Sequence, residues 1–174
     1  MSWSRREVGR LLGGAAAALP LAGLAGCGFQ PLYGNRAAGN ESVAADLSSV
    51  RIDPLSDRGG QQMHNFLRDR LNPGGQPVSP SYRLQVQLVE TLTSLGVQRD
   101  ETASRANLRM DADFALTNYA TEAPLLSGRS SSTTSYDILS NPFATTVSED
   151  DARERALREV ADDIQTRLAL YFAR

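Results

Sequence analysis

Few side chains in this chain of 174 residues could carry covalent or acid–base chemistry. His64 is the single histidine, and no neighbouring motif offers it a nucleophile. Asp111 and Asp113 alternate in a strand-like stretch and could form the paired carboxylates of an acid–base site. Arg105 and Arg109 share that face and can neutralise them, so a solvated sheet face is favoured. With no phosphate loop or zinc-ligand spacing in the sequence, we predict a protein that is not an enzyme and uses no cofactor or metal.

The single cysteine, Cys27, follows a segment with the three parts of an export signal. Residues 1–26 begin with arginines, continue through an apolar stretch from Leu11 to Leu24, and end with two small residues. The apolar stretch contains Pro20 and is too short to span a bilayer roughly 30 Å thick. We predict a signal peptide over residues 1–26 that is removed. The Arg5-Arg6 pair leaves the export route open.

Leu24-Ala25-Gly26-Cys27 resembles the lipobox of bacterial lipoproteins. The resemblance implies that the mature protein begins at Cys27, whose thiol takes a diacylglycerol. Two or three acyl chains would then hold it stably, whereas one chain at about 0.8 kcal/mol per buried methylene holds a protein only marginally. The alternative is a secreted protein with a free thiol near its start. With Cys27 acylated, no disulfide can form and packing must stabilise the fold.

The residues around and after this cysteine carry a second resemblance. Cys27-Gly28-Phe29-Gln30-Pro31-Leu32-Tyr33-Gly34 is similar to the start of the LptE family of lipopolysaccharide-assembly lipoproteins. The resemblance implies an outer-membrane lipoprotein, on the periplasmic side and inside the lumen of the lipopolysaccharide-insertion barrel LptD. There it would act as plug and assembly partner and take part in lipopolysaccharide binding and transport. The alternative is an auxiliary lipoprotein of an envelope phospholipid ABC transporter.

Composition limits the possible partners. The chain has 18 basic and 20 acidic residues, and removal of residues 1–26 takes away three arginines but only one glutamate. The resulting acidic excess argues against nucleic acid, which requires clustered basic charge. Every basic residue is arginine. Any anion site must therefore use guanidinium groups, which bind phosphate bidentately.

The first part of the mature chain alternates between irregular and short regular segments. Asn35 to Ser49 shows no sustained hydrophobic period, and residues 27–49 are predicted to form a lipidated tether. A short strand at Ser49–Ile52 follows. A helix is then predicted over residues 58–71 with Asp57 as its cap. Its apolar face has four residues at helical spacing: Met63, Phe66, Leu67 and Leu71.

Three strands are predicted from Tyr82 onward, because the hydrophobic period changes to two. The first has an apolar face that Glu90 interrupts, and the second alternates strictly between residues 105 and 117. The third, over residues 125–138, is rich in Ser and Thr. The alternation indicates an antiparallel sheet with one buried and one solvated face.

The last element is predicted to be a long helix of about 26 residues that starts near Ser148 and Asp151 in a capping-box-like pattern. Its apolar residues recur every four positions from Ala152 to Leu168. The order β-α-β-β-β-α predicts a two-layer α+β sandwich over residues 50–174, with a four-stranded, mainly antiparallel sheet and two helices. The same order is known for the lipopolysaccharide-assembly lipoproteins.

The solvated sheet face is the predicted binding surface. Arg83, Arg105 and Arg109 lie on it, Arg129 lies on the next strand, and Arg99 lies in a turn predicted at residues 96–102. We hypothesise that Arg99, Arg105, Arg109 and Arg129 contact the phosphates of lipopolysaccharide. The alternative is that these arginines only pair with Asp111, Asp113 and Asp137.

Overall fold

The computed structural model describes residues 40–97 and 103–174. The elements in these ranges are α1 (Asn40–Ser48), β1 (Val50–Ile52), α2 (Asp57–Leu71), β2 (Tyr82–Val97), β3 (Ala103–Asn118), β4 (Pro124–Asp137) and α3 (Pro142–Phe172). The predicted signal peptide, the predicted lipid-attachment residue Cys27, the motif at residues 27–34 and Arg99 lie outside the described residues.

The four strands form one sheet in the order β1-β2-β3-β4. β1 pairs with β2 in parallel, whereas β2 with β3 and β3 with β4 are antiparallel. β2 and β3 remain paired from Tyr82 opposite Asn118 to Val97 opposite Ala103. This arrangement confirms the predicted α+β fold with a four-stranded, mainly antiparallel sheet.

The strict alternation in β3 gives the sheet one buried face. Leu108, Met110 and Ala112 are at most 2% exposed. Helices α2 and α3 cover this face and contribute their apolar stripes to the core. The largest fully buried members of these stripes are Met63, Leu67, Leu71, Leu157, Val160, Ile164 and Leu168. Each such side chain stabilises the fold by about 1.5–3 kcal/mol relative to an exposed position, which suits a protein that relies on packing.

The predicted tether is wrong over residues 40–48, which form α1. Val43 and Leu47, one helical turn apart, are 4% and 5% exposed. They are buried residues of a helix that packs against α3. Asn72 Nδ2 donates a hydrogen bond of 2.9 Å to the carbonyl of Ser48, which ties the end of α1 to the end of α2. Two apolar residues in one short helix give too weak a periodic signal for sequence reasoning to find.

The start of α2 agrees with the predicted cap. Asp57 Oδ1 accepts a hydrogen bond of 2.7 Å from the amide of Gly60, and the helix begins at Asp57 itself. Asp57 has a φ of 63°, a left-handed conformation that Asp tolerates better than most residues. The side-chain bond satisfies one of the amides that the first helical turn leaves free.

The predicted start of α3 near Ser148 is wrong. The helix begins at Pro142, and the side chain of Asn141 accepts a hydrogen bond of 3.0 Å from the amide of Phe143. Asn at the cap and Pro at the first helical position are both strong start signals. They override the weaker Ser148 pattern.

Within the described ranges, none of the helices is both long and apolar enough to cross a membrane.

Candidate functional site

The candidate site is the sheet face that the helices leave uncovered, referred to below as the open face. It consists of the odd-numbered residues from Arg83 to Thr93 in β2, Arg105 to Thr117 in β3 and Ser127 to Asp137 in β4. The same alternation that buries the even-numbered residues of β3 turns these side chains to solvent. Arg105, Arg109 and Arg129 therefore share one surface, as the sequence predicts.

Each of these three arginines contacts an aspartate on the same face. Arg109 holds Asp111 through two bonds of 2.9 Å along the strand. Arg129 holds Asp113 across the strands through bonds of 2.7 and 2.8 Å. The third pair joins Arg105 Nε to an oxygen of Asp137 at 3.1 Å. The internal pairing raised as an alternative in the sequence is thus present in the fold.

The pairing fixes the charge state of the aspartates. The hydrogen bonds from Arg109 hold the pKa of Asp111 below its usual value, and Arg129 does the same to the pKa of Asp113. Both groups are therefore anions at neutral pH. A pair of glycosidase-like carboxylates needs one member with a raised pKa to act as a proton donor. Asp111 and Asp113 have the opposite shift, which does not suit that chemistry.

The arginines are available for anion exchange despite their partners. The side chains of Arg105, Arg109 and Arg129 are 59%, 56% and 67% exposed. Exposed ion pairs contribute little to stability, so an incoming phosphate can compete with a carboxylate for the guanidinium fork. Hydroxyls surround the three cations, for example Ser135, which donates a hydrogen bond of 2.7 Å to Asn107. The open face thus presents guanidinium forks beside hydroxyl groups, which are the groups that recognise phosphates and sugars.

Arg83, also predicted on this face, lies apart from the other three arginines, at the β1 end of the sheet. Its guanidinium is 3.8 Å from Asp53 and 3.6 Å from Glu122, and it covers the ring of Tyr119 at 5.1 Å.

His64 lies on α2, where Nε2 is 3.3 Å from the side-chain nitrogen of Gln76. In the described part of the chain, no group of three His, Cys, Asp or Glu residues could hold a metal ion.

Sequence reasoning missed a cleft of about 280 Å³ at the start of α2. On its wall, Arg153 of α3 binds Glu90 of β2 through bonds of 2.8 and 2.9 Å. Arg153 also contacts Glu149 and Asp150, each at 2.6 Å. The sequence feature that could have indicated this cleft is Glu90, the one charged residue on the apolar face of β2. Its partner lies 63 residues away, which no local pattern reveals.

Comparison with known protein families identifies a match over most of the folded part. A family model named LptE and described as lipopolysaccharide-assembly matches residues 47–168. The matched range includes all four strands, α2 and most of α3. It therefore covers both the open face and the helices that support it.

The chain is also similar to individual proteins. An uncharacterized protein of Rickettsia prowazekii is 23% identical over 151 residues, which are 87% of this chain and 92% of that protein. A candidate lipoprotein from Caulobacter crescentus is 28% identical with a TM-score of 0.64, over 76% of this chain and 97% of that one. Rare lipoprotein B from Shewanella oneidensis, 13% identical with a TM-score of 0.53, covers 70% of this chain and 92% of its own and supports the fold.

Proposed function

This chain belongs to the LptE family of lipopolysaccharide-assembly proteins, and we propose that it is the outer-membrane lipoprotein partner of the lipopolysaccharide-insertion barrel LptD. In this role it occupies the barrel lumen as a plug, helps the barrel to assemble and takes part in moving lipopolysaccharide to the cell surface. The observation that carries the proposal is the family match over residues 47–168, because it covers nearly the whole folded unit. The family's role is assembly and not catalysis.

The membrane anchor of the proposed lipoprotein is Cys27. Its lipobox-like context supports acylation, and the similarity to solved lipoproteins supports the same class of protein. Mass spectrometry of the protein extracted from membranes should find the mature chain starting at Cys27 with its thiol acylated. An unmodified thiol, or a chain that retains residues 1–26, would contradict this part of the proposal.

The open face suits a barrel lumen better than hydrocarbon. It consists largely of Ser, Thr, Asn, Gln and paired charges, and the lumens of outer-membrane barrels are polar. Its exposed arginine–aspartate pairs would be costly in lipid, where charged groups lack water. This polarity supports a position inside the barrel, with the helices and open face both surrounded by protein and water.

Cross-linked pull-down from outer membranes tests the partner. We expect a large β-barrel to be recovered with this chain. Recovery of an ATPase and its permease would instead support the auxiliary lipoprotein of a phospholipid ABC transporter. A variant with Leu108→Asp, which places a charge in the core, serves as the negative control because it should not fold.

For the glycolipid, we propose that Arg105, Arg109 and Arg129 exchange their aspartates for lipopolysaccharide phosphates. Arg99, which the sequence predicts in a turn, is proposed as a further phosphate contact. A phosphate carries more charge than a carboxylate and accepts the same bidentate bonds, so exchange is chemically reasonable. The exposed Ser and Thr hydroxyls of the open face can serve the sugars.

The double variant Arg105→Glu/Arg109→Glu tests this contact. We expect lipopolysaccharide binding to weaken by about tenfold at low salt, and the difference to shrink as salt screens the charges. The matched control is Arg68→Glu/Arg158→Glu, which makes the same charge change on exposed helix positions. Equal affinity of wild type and the first variant at both low and high salt would refute the contact.

A further inference from the structure

β4 is an edge strand of 14 residues, and in the described part of the chain only β3 pairs with it. Arg155 of α3 donates a hydrogen bond of 3.2 Å to the carbonyl of Ser135. This bond indicates that the carbonyl of Ser135 points away from β3. Backbone groups of alternate residues point the same way, so Arg129, Ser131, Thr133, Ser135 and Asp137 form the outward row. Such a row is a template for another strand.

β4 has few of the features that protect edge strands. Its one proline, Pro124, is its first residue, and it has no lysine. All residues from Ser130 to Ser135 are Ser or Thr, whose small side chains let a second backbone approach closely. Arg155 satisfies only one outward carbonyl. The edge is therefore open to pairing along its centre.

We propose that this edge pairs in antiparallel fashion with the same edge of a second copy of the chain, around a two-fold axis at Thr133. In this register Ser131 lies opposite Ser135 of the second copy. Each residue of the outward row then faces a residue of the outward row of the second copy, so their backbone N–H and C=O groups can hydrogen-bond to one another. The sheets of the two copies become one continuous, mainly antiparallel sheet.

Charge complementarity selects this register. Arg129 lies opposite Asp137 of the second copy, and the same contact repeats on the other side of the axis. Within each chain Arg129 faces Asp113, and Asp137 faces Arg105. The row across the paired edges therefore alternates in sign from Asp113 to Arg129, then to Asp137 and Arg105 of the second copy. Opposite charges in directly facing positions stabilise a strand pair.

The helix layer leaves room for this pairing. α3 contacts both β4 and β3, so it lies above the pair and not beyond the edge. With strands about 4.8 Å apart, two helices that are each centred above a β3–β4 pair would be about 10 Å apart, a normal helix-packing distance. Arg155 must release Ser135 but keeps its contact with Asp151. The proposal is independent of the barrel and of lipopolysaccharide, and it describes the protein before it meets its partner.

Cysteine cross-linking of the full chain in detergent tests the register. The thiols introduced by Thr133→Cys would face each other at a Cα separation of about 5.5 Å, which allows a disulfide. Those introduced by Ser131→Cys would be about 14 Å apart in the same register and are the matched control. The wild-type chain, whose single cysteine is Cys27, shows how much dimer forms through that thiol alone. We expect a disulfide-linked dimer only with Thr133→Cys; no dimer, or equal dimer with both variants, would overturn the proposal.

Complementary charge variants provide a second test. Arg129→Asp and Asp137→Arg should each weaken self-association by about tenfold in sedimentation, because like charges then face each other twice. Mixing the two variants should restore association, since every facing pair again has opposite signs. This rescue also shows that both variants fold. Failure of the mixture to associate, while wild type does, would show that another surface joins the copies.

Discussion

Replacing Arg153 with Met should destabilise the fold far more than replacing an arginine of the open face. Arg153 is 21% exposed, and its partners Glu90 and Glu149 are 29% and 28% exposed. Exposed ion pairs are worth about 0.2–1 kcal/mol, whereas removing one partner of a buried pair costs about 3–5 kcal/mol. This half-buried site lies between those limits, and its carboxylates would repel each other once the cation is gone. We expect Arg153→Met to cost about 2 kcal/mol in free energy of unfolding.

Chemical denaturation monitored by circular dichroism measures this cost, and thermal unfolding should show a drop of about 8 °C for a domain of this size. The matched control is Arg105→Met, which also removes a cross-element pair, with Asp137, but at 59% exposure. We expect the control to stay within about 0.5 kcal/mol of wild type. If both variants lose the same free energy, partial burial does not strengthen the Arg153 network and the reasoning is wrong.

Two further predictions concern α1 and the open face. Leu47→Ala should lower the free energy of unfolding by about 2–4 kcal/mol in chemical denaturation, because Leu47 is buried. The control Val78→Ala, at a fully exposed position, should leave the stability unchanged. Equal stability of the two variants would show that α1 does not pack as part of the folded unit. Arg109→Met should raise the pKa of Asp111 toward its usual value in an NMR titration. Since the folded-state pKa of Asp111 is lowered, its pairing favours the fold above the ordinary Asp pKa of about 3.9 and is lost as pH falls through the folded value. An unchanged Asp111 titration would show that Arg109 does not hold it in solution.

The elements with strong periodicity were predictable, and those that depend on distant contacts were not. The alternation in β3 predicted which side chains are buried and placed Arg105 and Arg109 on one solvated face, as the fold has them. α1 was not predicted because its burial depends on α3, which begins more than 90 residues later in the chain. The contact of Glu90 with Arg153 was not predicted for the same reason. Local spacing cannot specify a contact whose partner is set by packing.

The partners of the open-face arginines lead to a sharper test of glycolipid binding. Arg109 and Arg129 already hold Asp111 and Asp113, so phosphate binding is an exchange in which the released carboxylates remain nearby and repel the new anion. Removing the competitors should therefore strengthen binding. We expect Asp111→Asn/Asp113→Asn to raise lipopolysaccharide affinity roughly threefold to tenfold at low salt, an effect that salt reduces. Binding measured on this variant separates two roles of the arginines, because cations that serve only to stabilise the sheet would leave the affinity unchanged.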